Sequence, residues 1–94
     1  MLEKYITKKE DGCIYREVSG ETVILDRDGS WIHMLNEVGT EIWKLADGKT
    51  TVGEIVSRIC EEFEVDRKVA EQDVLRFVEK LLKKNLIALC EKPV

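Results

Sequence analysis

The chain has 94 residues, enough for one domain with a single modest core. Its hydrophobic share of 44% is that of a globular chain and excludes a disordered one at this charge. With 15 basic and 19 acidic side chains the formal net charge is -4, which argues against nucleic acid or an anionic membrane as the main partner. The three cysteines, Cys13, Cys60 and Cys90, are scattered, no C-x-x-C occurs and His33 is the one histidine. No metal site is therefore expected, and free thiols in a reducing compartment are. The opening MLEKYITKKEDG has no apolar region of a secretory signal. No apolar run approaches the roughly 20 residues that span a bilayer. These features predict a cytoplasmic protein with no membrane contact.

Residues 1–12 are charged, end at Asp11-Gly12, and read as a flexible or edge-paired tail. Cys13 to Val18 alternates roughly and predicts a strand. Ser19-Gly20 is a turn signal. Glu21 to Leu25 is β-branched and apolar, a second strand. Asp26 to Gly29 is a second turn. Ser30 to Leu35 is a third strand, and the three read as an antiparallel meander.

Asn36 suits an N-cap, because its side chain can accept from an orphan amide of a first helical turn. Val38, Ile42 and Leu45 then recur at helical spacing, with a stop at Asp47-Gly48. Thr51 and Glu54 have the spacing of a capping box. Val52, Ile55, Val56, Ile59, Cys60 and Phe63 follow as one apolar stripe. Asp66 is the candidate cap of a third helix with apolar positions at Ala70, Val74, Phe77, Val78, Leu81 and Leu82. Lys83-Lys84 complement its C-terminal dipole, and Asn85 suits a left-handed stop. Leu86 to Cys90 is a short extended run. The expected fold is α+β and winged helix-turn-helix-like: a three-stranded antiparallel meander followed by three helices. Residues 13–94 form its single domain.

Catalytic chemistry is not visible. His33 has no placed nucleophile beside it, and the glycines do not form a phosphate-binding G-x-x-x-x-G-K-[ST]. Charge is more informative. Residues 1–65 carry 8 basic and 14 acidic side chains, and residues 66–94 carry 7 and 5. In the third helix Arg76, Lys80, Lys83 and Lys84 are spaced to share a face. Such a stripe can simply solubilise a helix, enter a DNA groove, or flank a groove for an acidic peptide. An outer strand of a meander leaves unpaired amides and carbonyls that can accept an extended peptide. In Trp31 to Leu35, alternation puts Trp31, His33 and Leu35 on one face and Ile32 and Met34 on the other. Both faces are apolar, so the pattern does not say which one meets the helices.

Leu35-Asn36-Glu37, Ile42-Trp43, Asp47-Gly48, Thr51-Val52-x-x-Ile55, Asp73-Val74-x-x-Phe77-Val78-x-x-Leu81 and Asn85-Leu86-Ile87 occur in this order. Together they resemble the PqqD family, small proteins named for pyrroloquinoline quinone biosynthesis. The same fold recurs as the precursor-peptide recognition element of many ribosomal peptide-modification systems. The resemblance covers about residues 13 to 90. It implies a PqqD-like domain without catalysis; no cofactor or metal is expected either. It implies a protein that binds the leader segment of a precursor peptide and presents it to a modifying enzyme, often a radical S-adenosylmethionine maturase. In the family the leader adds as a strand to the third β-strand and lies against the third helix. Carried over, the peptide-binding residues are Trp31, Ile32, His33, Met34 and Leu35, with Arg76, Phe77, Lys80 and Lys84 bordering the groove. Quinone-pathway members resemble a V-L-L-x-P-E pattern near the second strand. This chain has Val23-Ile24-Leu25-Asp26-Arg27, without the proline. That departure points to a precursor other than the quinone one.

The alternative is a winged-helix DNA-binding or regulatory domain. It is disfavoured because Glu54 to Glu64 carries four glutamates against Arg58 alone, on a helix that would lie near phosphates.

Overall fold

A computed structural model describes residues 1–9, 14–25 and 32–93. Its elements in chain order are β1 (Tyr5–Lys8), β2 (Ile14–Val18), β3 (Glu21–Leu25), β4 (Ile32–Leu35), α1 (Glu37–Leu45), β5 (Asp47–Thr51), α2 (Val52–Glu62), α3 (Arg67–Lys83) and β6 (Ile87–Cys90). The α+β class and the antiparallel meander are as expected, with the strands in the order β2-β3-β4. The β2–β3 turn places Ser19 and Gly20 at φ 53° and 82°. Positive φ at both central residues is the two-residue geometry whose twist matches the strands it joins.

A second sheet, in the order β5-β1-β6, departs from the sequence reading. The sequence reads residues 1–12 as a flexible or edge-paired tail. Instead Tyr5–Lys8 is the central strand of this sheet, antiparallel to both neighbours, and Ile6 is fully buried. The four residues show little apolar patterning because only one of them faces the core. Their partners lie some forty and eighty residues away in sequence, beyond any local signal. Asp47-Gly48, read as a stop, opens β5. The register slips between its two pairings with β1, and Gly48 takes a φ of 80° there. A glycine accommodates such an irregularity without strain.

The N-terminal segment also completes the helices. The amides of Val52 and Gly53, orphans at the start of α2, donate to the carbonyls of Lys4 and Leu2, each at 2.9 Å. The Lys8 amide donates to the Ala46 carbonyl just beyond α1.

Helix ends follow the expected chemistry. Asn36 Oδ1 accepts from the Gly39 amide at 2.8 Å. The Thr51 hydroxyl and Glu54 carboxylate form a reciprocal capping box. Asn85 stops α3 in the left-handed region at φ 61°. Asp66 holds the cap position of α3 but makes no side-chain capping bond.

The core gathers one stripe from each helix. Ile42 and Trp43 of α1, Val52, Ile55, Val56 and Ile59 of α2, and Ala70, Val74, Val78 and Leu81 of α3 are buried against Ile6, Ile24, Leu35 and Ile87 of the strands. At about 25 cal/mol per Å² of buried apolar surface, this stripe-on-stripe burial drives folding. One polar pair lies inside: the Thr22 hydroxyl donates to Thr40 Oγ1 at 2.9 Å, tying β3 to α1.

Candidate functional site

The meander ends in β4. One side of β4 pairs with β3, and no strand among the described residues pairs with the other. Its backbone donors and acceptors on that side form an open edge. Two features hold the strand in place. Leu35 packs into the core, and the Asn36 cap begins α1 immediately after it.

The structure decides which face of β4 turns inward. Leu35 is buried and His33 half-buried, whereas Ile32 and Met34 are 64% and 68% exposed. His33 stands opposite Ile24, and Leu35 opposite Thr22, on the side of the helices. Ile32 and Met34 point to the opposite side of the sheet. Trp31 and Ser30 lie outside the described residues, as do Cys13 and the turns expected at Asp11-Gly12 and Asp26 to Gly29.

The third helix reaches β4 only through single side chains. It packs on α2 and β6, whereas β4 packs on β3 and α1. Phe77 is half-buried at the rim of α3's apolar stripe, against Gly39 and near Leu35. Lys80 and Lys84, three and seven positions on, are exposed. They stand near enough to act on His33: burial first, and then the charges of Lys80 and Lys84, lower the imidazole pKa from its ordinary value of 6.5. His33, Phe77, Lys80 and Lys84 are thus brought to one place beside the β4 edge. Arg76 is not placed there by any contact. Its side chain is 79% exposed and pairs with Asp73 at 3.7 Å.

This arrangement has the parts of a binding surface. An open strand edge, an aromatic rim and two ammonium groups suit an extended chain with acidic side chains. Among the described residues no group of three or more His, Cys, Asp or Glu converges as a metal site would. No helix among them is long and apolar enough to cross a membrane.

Sequence reasoning missed two contributors. Gly39 sits on the buried side of α1 where Phe77 approaches, and only its lack of a side chain makes room. The row of exposed apolar side chains on the outer face of the meander was hidden by the ambiguity of β4. Alternation in β2 and β3 was the available signal for it.

The comparisons with known proteins bear on the family and the fold. The family model for "Coenzyme PQQ synthesis protein D (PqqD)" matches residues 21–87. The "PqqA binding protein" of Gluconobacter oxydans (strain 621H) is 41% identical over 46 residues, 49% of this chain and 48% of that protein. The chain therefore spans about half the length of this curated relative. The solved structure "TbiB1 in Complex with the TbiA(beta) Leader Peptide" is similar with a TM-score of 0.75 and 32% identity, over 86% of this chain and 94% of that one. The family match begins at β3 and runs through α3 to the first residue of β6, so it includes β4 and α3. By this match over most of its length, the chain belongs to the PqqD family.

Proposed function

We propose that this protein is a non-catalytic carrier for a ribosomally made precursor peptide. It binds the leader segment by strand addition along β4 and presents the peptide to a modifying enzyme. A radical S-adenosylmethionine maturase is the enzyme class that the family's role suggests. The single observation that carries the reading is the open edge of β4, on a strand whose His33 lies near enough to Lys80 and Lys84 for their charges to act on it. Two relatives support it: one is named for binding PqqA, the other was solved with a leader peptide. Main-chain bonds to the edge would supply affinity whatever the leader's sequence. Side-chain pockets and the two lysines would supply selectivity for an acidic, apolar leader. Each exposed ammonium–carboxylate pair contributes a few tenths to about 1 kcal/mol, so apolar anchors carry more of the binding.

The missing proline after Leu25 continues to favour a precursor other than the quinone one. The expected compartment is the cytoplasm, where the free thiols of Cys60 and Cys90 stay reduced.

The test is a titration of isotope-labelled protein with the leader segments of short precursors encoded beside its gene. Amide signals of 32–35 and of α3 around 77–84 should move together. Charge reversal at Lys80 and Lys84 should weaken binding severalfold. A leader that binds without moving either region would overturn this location. Failure of every such leader would overturn the function.

A further inference from the structure

The meander has a second face, on the side of the sheet away from Lys80 and Lys84. Its register sets Ile14 beside Leu25 beside Ile32, and Arg16 beside Val23 beside Met34, with Val18 opposite Glu21. These rows lie on the side turned from the helices. Ile14 and Val18 are 66% and 53% exposed there, alongside the exposed Ile32 and Met34. A shallow cavity of about 320 Å³ opens between Ile14, Arg16, Val18, Val23 and Leu25. An antiparallel sheet with one face in water normally carries polar side chains on that face. Here the outward positions are apolar except for Arg16 and, at one end, Glu21, and these two form no ion pair with each other. Four exposed apolar side chains gathered on one face, rather than scattered singly, make a candidate interaction surface.

We propose that this outer face is a second docking surface, for a folded protein that presents apolar side chains around a carboxylate positioned for Arg16. That protein is the enzyme acting on the bound peptide, so the inference rests on the function proposed above. Three observations select this occupant. First, the face and the peptide edge share β4. A strand added to that edge lies about 5 Å from β4, so a protein seated over Ile32 and Met34 also reaches the added strand. Second, Arg16 makes no ion pair among the described residues. A charge amid apolar side chains needs a carboxylate when it is covered. Third, three strands about 4.8 Å apart and five residues long make a face of roughly 250 Å². A stable protein pair uses about 800 Å² on each partner. The patch suits the core of a transient contact, which a carrier that must release its partner requires.

The experiment uses the full chain, the purified modifying enzyme encoded beside it, and the leader peptide that the protein binds. Arg16→Glu and Val18→Asp change β2 alone, away from the β4 edge. Both variants should bind leader with unchanged affinity, which also reports that the sheet is folded. Both should bind the enzyme at least tenfold more weakly, and enzyme turnover of the full precursor should fall in parallel. Arg16→Lys should retain most of the enzyme affinity. Unchanged enzyme binding in both variants overturns the inference and leaves the peptide-binding function standing. So does an enzyme that fails to bind the wild-type protein. Loss of leader binding in the folded variants would instead place the peptide on this face and overturn the separation of the two surfaces. Sedimentation should show a monomer, and a dimer abolished by Val18→Asp would overturn the choice of partner. Flotation with vesicles of anionic lipid should recover no protein, and recovery lost in Arg16→Glu would likewise overturn it.

Discussion

A Cβ added to Gly39 would stand 2.8 Å from Cε2 of Phe77 and 3.2 Å from Cβ of Leu35. At Gly39, side chains of α3 and of the end of β4 thus crowd against α1, and a side chain there would push them apart. On an exposed helix Gly→Ala gains up to about 1 kcal/mol in propensity. Here the clash opposes that gain, and overpacking of this kind costs about 1–3 kcal/mol. Gly39→Ala should therefore lower stability by about 1 kcal/mol net, read as a denaturant midpoint. Adding Phe77→Leu should recover part of the loss, as a double-mutant cycle would report. A Gly39→Ala protein more stable than wild type would show that the ring moves aside freely.

The Thr22–Thr40 pair predicts a second asymmetry. Both hydroxyls are buried, and Thr40 also reaches the Leu35 carbonyl at 3.4 Å. Thr40→Val keeps the shape and leaves Thr22 without its acceptor, at a cost of about 1–3 kcal/mol. The double variant Thr22→Val/Thr40→Val should cost less than the sum of the single changes, since no hydroxyl is then stranded. Thermal unfolding of the four proteins decides it. Strict additivity would mean the bond contributes nothing specific.

The N-terminal strand makes the sharpest claim about the fold. If residues 1–9 were a tail, truncating Ile6 would be silent. Ile6 is instead fully buried in the central strand of the second sheet. Ile6→Ala should cost about 2–5 kcal/mol, equivalent to roughly 4–8 °C in Tm for each kcal/mol at this size. A change within 1 °C would argue that β1 is not docked in solution.

His33 predicts a dependence on pH. Burial, reinforced by Lys80 and Lys84, holds its folded pKa below the ordinary 6.5. The unfolded chain therefore takes up the proton first. The contribution of neutral His33 is complete above about pH 6.5 and is lost as pH falls toward the folded value. His33→Gln should flatten the stability profile in that window. NMR titration of the imidazole should give a midpoint below 6.5, and one above it would contradict the placement beside the lysines.

Strand addition has its own backbone signature. Along an antiparallel pair, alternate residues direct their N–H groups to opposite sides. Of the four amides from Ile32 to Leu35, two alternate ones bond to β3 and two face the open edge. Bound leader should slow hydrogen exchange at the second pair and leave the already protected pair nearly unchanged. Uniform protection of all four would indicate general stiffening rather than an added strand.

What could be read from the sequence alone was whatever depends on near neighbours in the chain. The three helices announced themselves through apolar spacing. Their ends followed from Asn36, the Thr51–Glu54 box and Asn85, whose partners lie within a few residues. The β2–β3 hairpin followed from Ser19-Gly20 between two apolar runs. Tertiary structure alone decided three matters. It made Tyr5–Lys8 a central strand, because its partners β5 and β6 are distant in sequence. It turned His33 and Leu35 inward and Ile32 and Met34 outward, a choice that alternation leaves open when both faces are apolar. It brought Phe77 against Gly39 and set Lys80 and Lys84 beside His33, because the approach of a helix to a strand is set by side-chain volume at their crossing. The groove and the outer face are therefore properties of packing, and no periodicity in the chain encodes them by itself.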